Sequence, residues 1–267
     1  MARTVISVAR DRMAHAGSGN AGTAEVSPTS ILGLLLQNQE LSDTELQNEI
    51  ALFLFAGHET SASTLTFIMI LLHRHPLCKA RVRQEVDEVL GEDGKPTFED
   101  LGKLRYTNAV MKEALRLFPI GWATVRETVE PTKLGEYMIP AKTQVMVDFL
   151  HMHRNPALFD RPTEFLPERW LTQTTTDVDN GVSETVDASS TGTVPYSYLP
   201  FSGGMRSCIG KPFAEIEIKL VTAMLIQRYD FHVEEPKSWE GVDVCDLYKD
   251  GTTLRPLPHT VWITPRR

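Results

Sequence analysis

FSGGMRSCIGKPFAEIEIKL, residues 201–220, sets Cys208 among three glycines and two residues after Arg206. Glycine costs backbone entropy, so Gly203, Gly204 and Gly210 mark unusual dihedrals or the close approach of another group. From about Lys211 to Arg228 the pattern predicts a helix. Cys208 then falls just before a helix start, where the dipole and unpaired amides favour a thiolate. Arg206 adds a fixed positive charge close by. A thiolate held this way suits a nucleophile, a redox thiol or an axial metal ligand; a structural cysteine in a turn is the plainer reading. A nucleophile needs a positioned base, and this loop supplies none.

The rest of the chain narrows the choice. It has 267 residues, a formal net charge of −8, 42% hydrophobic and 23% charged residues, the make-up of an ordinary globular chain. An acidic balance argues against nucleic acid as a partner, which calls for a basic patch. Three scattered cysteines, Cys78, Cys208 and Cys245, make no disulfide framework and no CxxC pair. No Cys/His spacing matches a zinc site. The opening MARTVISVARDRM lacks the apolar core of a signal peptide. Residues 50–72 approach the apolarity of a membrane span, but His58, Glu59 and Thr60 interrupt the middle, where charge is most costly in lipid. A buried helix with a polar interruption is the expectation.

Helical signals dominate the first half. Ser42 and Glu45 form a capping box before a helix that runs to about His75, where Pro76 breaks it and starts another, closed by Gly91. RYTNAVMKEALRLFP predicts a further helix ending at Pro119. Then WATVRETVE, KLGEYMIP and TQVMVDF, short and punctuated by glycine and proline, predict a small sheet, and TVWITP a late strand. Residues 14–28 predict a flexible loop and residues 171–194 a disordered surface insertion. The fold class expected is mainly α with small β-sheets.

Three more stretches carry chemistry. AGHET, residues 56–60, puts Gly57 inside a helix at a cost of about 1 kcal/mol, which suggests a groove where a ligand presses on the backbone. Glu59 and Thr60 place an acid and a hydroxyl beside it. EALR sets Glu113 and Arg116 three apart on one helical face among apolar neighbours, so the pair is expected to be buried and to need a third partner. Arg169, in FLPERW, is the candidate.

These four stretches together resemble the cytochrome P450 family, the haem-thiolate monooxygenases. FSGGMRSCIG fits the family's pattern Phe-x-x-Gly-x-Arg-x-Cys-x-Gly at every fixed position, Phe201, Gly204, Arg206, Cys208 and Gly210. AGHET resembles its oxygen-activation motif, EALR its Glu-x-x-Arg helix, and PERW its Pro-Glu-Arg-Phe segment with Trp170 for phenylalanine. Their order and spacing agree from about Leu41 onward. The resemblance implies haem b as cofactor, with Cys208 as the axial ligand of its iron and backbone amides directed at the sulfur. It implies Arg206 and Arg126 as propionate partners, Ala56 and Gly57 along the distal face, and Thr60 with Glu59 in proton delivery. Glu113, Arg116 and Arg169 become a structural triad. The implied reaction inserts one atom of O2 into an apolar small molecule, with electrons from an NADPH-dependent reductase or a ferredoxin.

Family members are considerably longer, and the shortfall here lies at the front. The resemblance therefore leads one to expect a chain without the N-terminal anchor of eukaryotic members, which often sit on the endoplasmic reticulum membrane. It would also be a single truncated haem domain over 1–267, without the early helices that roof the substrate cavity. Such a chain should expose apolar surface. A haem-thiolate isomerase or dehydratase that needs no O2, and a non-catalytic haem-binding remnant, are the alternative readings.

Overall fold

The computed structural model describes residues 4, 6–8, 27, 30–38, 40–91, 94–171, 195–249 and 251–266. Apart from residues 27 and 171, the segments expected to be flexible (14–28) and disordered (171–194) lie outside the described residues. The chain divides into two units, Met1–Glu59 and Thr60–Arg267.

In the first unit, helix α1 (Ile31–Gln37) starts at Ser30, whose hydroxyl accepts the Gly33 amide at 3.0 Å. Helix α2 (Asp43–Arg74) begins here too and continues into the second unit. Its predicted capping box is formed. The Glu45 amide donates to Ser42 Oγ at 3.3 Å, while the Ser42 amide and hydroxyl donate to Glu45 Oε2 at 2.9 and 2.7 Å. Ile6, Leu46 and Ile50 make a small buried cluster with Leu32, Leu35 and Leu36 against it. Further along the helix Leu52, Phe53, Leu54 and Phe55 are exposed.

In the second unit α2 ends at Arg74 and Pro76 opens α3 (Pro76–Leu90), where a missing amide costs nothing. Gly91 closes α3 at φ +65°, its amide returning to the Asp87 carbonyl at 3.0 Å. Helix α4 (Arg105–Leu117) follows a short 3-10 turn, Glu99–Gly102. Strands β1 (Ala123–Glu127) and β4 (Gln144–Asp148) pair antiparallel, and between them β2 (Thr132–Leu134) and β3 (Tyr137–Ile139) form a separate hairpin. The one small sheet expected there is thus two ribbons. Gly135, at φ +59°, turns β2 directly onto β3, and neither strand pairs with β1 or β4.

Helix α5 (Phe149–His153) leads to the 3-10 turn Pro167–Trp170. After the cysteine loop come α6 (Lys211–Arg228) and β5 (Tyr229–Glu234), then β6 (Tyr248–Lys249), β7 (Arg255–Pro256) and β8 (Thr260–Pro265). Strand β5 pairs with β8, and β6 with β7.

The core of this unit follows from helical spacing. Val82, Val86 and Leu90, four apart on α3, form one apolar stripe, and α3 and α4 both pack on α6. Phe67, Ile68, Leu71 and Leu72 of α2, Val110, Met111, Ala114 and Leu117 of α4, and Ile218 and Ile226 of α6 are all buried. Each large side chain so buried contributes roughly 1.5–3 kcal/mol. Phe67 stacks on Phe118 with ring centroids 4.1 Å apart. Among the described residues no helix is long and apolar enough to cross a membrane.

Candidate functional site

The site is built on a sealed ionic hub. Glu113 and Arg116 are fully buried on α4 and meet in a two-pronged pair, Nε to Oε2 at 2.9 Å and Nη2 to Oε1 at 2.8 Å. A guanidinium has five N–H donors, and every one is used. The other three go to the carbonyls of His153 (2.8 Å), Pro162 (2.6 Å) and Glu164 (3.0 Å). Arg169 supplies the expected third charge, with Nε 3.1 Å from Glu113 Oε1. Two further donors were not visible in the sequence pattern. The Leu166 amide reaches Oε1 at 2.9 Å, and the Trp170 indole reaches Oε2 at 2.8 Å. A buried pair survives desolvation only with this degree of satisfaction.

The segment from Pro195 rises from this hub to the cysteine loop. Tyr198 donates to the Lys112 carbonyl of α4 at 3.1 Å, and its ring leans on Trp170 with centroids 4.6 Å apart. The Leu199 amide donates to His153 Nε2 at 2.8 Å. Within the loop the Cys208 amide returns to the carbonyl of the half-buried Phe201 at 2.9 Å, so the two residues close a ring of backbone. Gly204 sits at φ +68°, where a side chain brings strain. The Ser207 amide bonds to the Gly204 carbonyl at 3.0 Å, and the Lys211 amide to the Cys208 carbonyl at 3.3 Å as α6 begins.

Cys208 is exposed, as are Met205 and Ile209 beside it. A Cβ at Gly210 would stand 3.8 Å from the sulfur, and one at Gly204 would meet nothing within 4 Å. The expected amide bonds to the sulfur are not formed. Among the described residues no N–H donates to Cys208 Sγ; the amides of Ser207, Cys208 and Lys211 are used in the loop's own turns, and Pro212 has none to give.

The Arg206 guanidinium is exposed and makes no hydrogen bond or ion pair among the described residues. It therefore fits an anionic group of a bound molecule. Arg126, on β1, is also exposed; its Nη1 donates to Thr124 Oγ1 at 2.6 Å and to the Val125 carbonyl at 2.9 Å, with no carboxylate partner among the described residues. The structure thus brings Phe201, Gly204, Arg206, Cys208 and Gly210 together in one loop. An exposed sulfur beside open glycines and an uncommitted arginine suits a flat, anionic, metal-bearing ligand.

Ala56 and Gly57 are exposed on α2 in the first unit, and a Cβ at Gly57 would meet nothing within 4 Å. No neighbouring residue demands glycine there. Glu59 is half-buried at the end of that unit. In the second unit Thr60 is half-buried and its carbonyl accepts Thr64 Oγ1 at 2.9 Å. The next residue, Ser61, donates to Glu217 Oε2 at 2.6 Å and joins α2 to α6, a contact no local pattern announced.

Fold and loop together define a class, mainly helical proteins with small β-sheets that present an exposed cysteine just before a helix start. The cytochrome P450 family model matches residues 10–246. Cyclooctatin synthase and cyclooctat-9-en-7-ol 5-monooxygenase, both of Streptomyces melanosporofaciens, are 41% and 40% identical over 189 residues, which is 71% of this chain and 38% of each of theirs. The crystal structure of the cytochrome P450DA heme domain superposes with a TM-score of 0.77 at 30% identity, over 100% of this chain and 54% of that one. The chain belongs to the cytochrome P450 family, whose cofactor is haem. It spans about two fifths of the length of those two curated relatives.

Proposed function

We propose that this protein is a haem-dependent monooxygenase that inserts one atom of dioxygen into an apolar organic substrate, with Cys208 as the residue that would ligate the iron of haem b. Electrons come from an NADPH-dependent reductase or a ferredoxin. One observation carries the reading. Cys208 stands exposed on a loop whose backbone is pinned by its own amide to Phe201, next to glycines that leave the sulfur's surroundings open. The name of one relative, cyclooctat-9-en-7-ol 5-monooxygenase, supports the reaction type.

Bound haem supplies dioxygen activation, which the electron push of a thiolate ligand promotes. The chain's residues do the rest. Cys208 would ligate the iron, Gly204 and Gly210 would leave room for the cofactor beside the sulfur, and Arg206 and Arg126 would neutralise its carboxylates. The motif at residues 56–60 assigns Ala56 and Gly57 to cofactor contact, and Thr60 with Glu59 to holding and passing a proton. Glu113, Arg116 and Arg169 hold the loop's foundation and take no part in the chemistry.

The test is spectroscopic. Purified protein given hemin, reduced and exposed to carbon monoxide should show a strongly red-shifted Soret band, and Cys208→Ala should abolish the shift. The same red-shifted band in the variant would remove Cys208 as ligand.

A further inference from the structure

We propose that His153 is a positioning residue for the Cys208 loop: its imidazole ties that loop to the buried Glu113–Arg116 hub and so sets where the sulfur stands. The inference rests on the reading of Cys208 as the haem ligand. It is carried by a run of contacts through one fully buried residue, by its backbone carbonyl on one side and its ring on the other. On one side the His153 carbonyl accepts Arg116 Nη1 at 2.8 Å. On the other its Nε2 accepts the Leu199 amide at 2.8 Å. Leu199 then organises the loop. Its carbonyl accepts the Ser202 amide at 3.1 Å, and its side chain lies 3.3 Å from where a Cβ on Gly203 would stand. Two residues further, the Phe201 carbonyl holds the Cys208 amide.

Packing alone does not explain a histidine here. Because Nε2 accepts, the ring proton sits on Nδ1, and Nδ1 is buried without a partner among the described residues. Phenylalanine would fill the space without that unpaired group. What it lacks is an acceptor aimed at Leu199. The rings of Phe149 and Tyr198 lie near it, with centroids 6.5 and 5.4 Å away and planes inclined by 22° and 32°. Burial first, and then the charge of Arg116, pull its pKa down to about 3, so the accepting lone pair is present at any ordinary pH.

The experiment compares the full chain with His153→Phe, which fills the space, and His153→Gln, which keeps an acceptor. Amide exchange is read at Leu199 and Cys208 without haem, and the reduced carbon monoxide spectrum is read with hemin added. The Leu199 amide should be protected in the native chain, its exchange should quicken about tenfold in His153→Phe, and His153→Gln should restore most of the protection. In parallel, the red-shifted Soret band should give way in part to an unshifted one in His153→Phe and return in His153→Gln. Equal exchange at Leu199 in all three chains, or glutamine behaving as phenylalanine does, overturns the inference. Should His153→Phe fail to fold, the native chain decides, since an unprotected Leu199 amide there also overturns it. A native chain that never gives the red-shifted band sinks the Cys208 reading, while the exchange result still reports on the tie itself.

Discussion

Glu113 accepts five donors, two from Arg116 and one each from Leu166, Arg169 and Trp170. Glu113, Arg116 and Arg169 were legible in the sequence. EALR spaces two opposite charges on one face of a helix whose other residues are apolar, and PERW offers one more isolated charge. The indole was not legible, since Trp170 lies 57 residues from Glu113 and only the tertiary fold shows that its N–H points at the carboxylate. Its effect is open to measurement. Trp170→Phe installs the residue of the family's pattern, yet here it should destabilise, because a hydrogen bond to a buried charge is worth about 1.5–3 kcal/mol. The midpoint of urea unfolding should fall accordingly. An unchanged midpoint would mean that Arg116, Leu166 and Arg169 alone satisfy Glu113.

Elements meet through charges as well as apolar stripes, and the junction of α3 with β5 shows how. Lys79 Nζ lies 2.6 Å from Asp230 Oδ1 and Arg83 Nη2 lies 3.1 Å from it. Lys79 also donates to the Phe231 carbonyl at 2.7 Å and sits 4.1 Å above the Phe231 ring. The Lys79 hydrogen bond foremost, then the charges of both cations, lower the Asp230 carboxyl to about 2 from an ordinary value of 3.8. A depressed carboxyl stabilises the folded state above its unfolded pKa, and that stabilisation is lost as pH falls through the folded value. The window is therefore about pH 4 down to about pH 2. Half of the Asp230 side chain is exposed, so solvent screening holds the contribution below about 1 kcal/mol. Thermal midpoints of the native chain and of Asp230→Asn should differ above pH 4, converge toward pH 2, and differ less in high salt. Parallel curves across that range would show that the cluster adds nothing to the docking of α3.

At the scale of the molecule, local signals named the elements and missed how burial is shared among them. Capping box, Pro76, Gly91 and the glycine loop were legible because each states a requirement of the backbone within a few residues. Burial is not local. Within the single helix α2, Leu52, Phe53, Leu54 and Phe55 are exposed while Phe67, Ile68, Leu71 and Leu72 are 0–1% accessible, although the two runs are equally apolar. That asymmetry makes a prediction about stability. The described part of the first unit has three buried apolar side chains, Ile6, Leu46 and Ile50, whereas in the second α3, α4 and α6 share one continuous core. Local opening costs little where few apolar contacts must be broken and approaches the global cost where many must. Amides of α1 should therefore exchange at least about a hundredfold faster than those of α4, a gap of roughly 2.7 kcal/mol in opening free energy. Pulse labelling of the native chain read by mass spectrometry measures both helices in one experiment. If α1 and α4 exchange together, the first unit opens only with the whole chain, and the division of the core is of no energetic consequence.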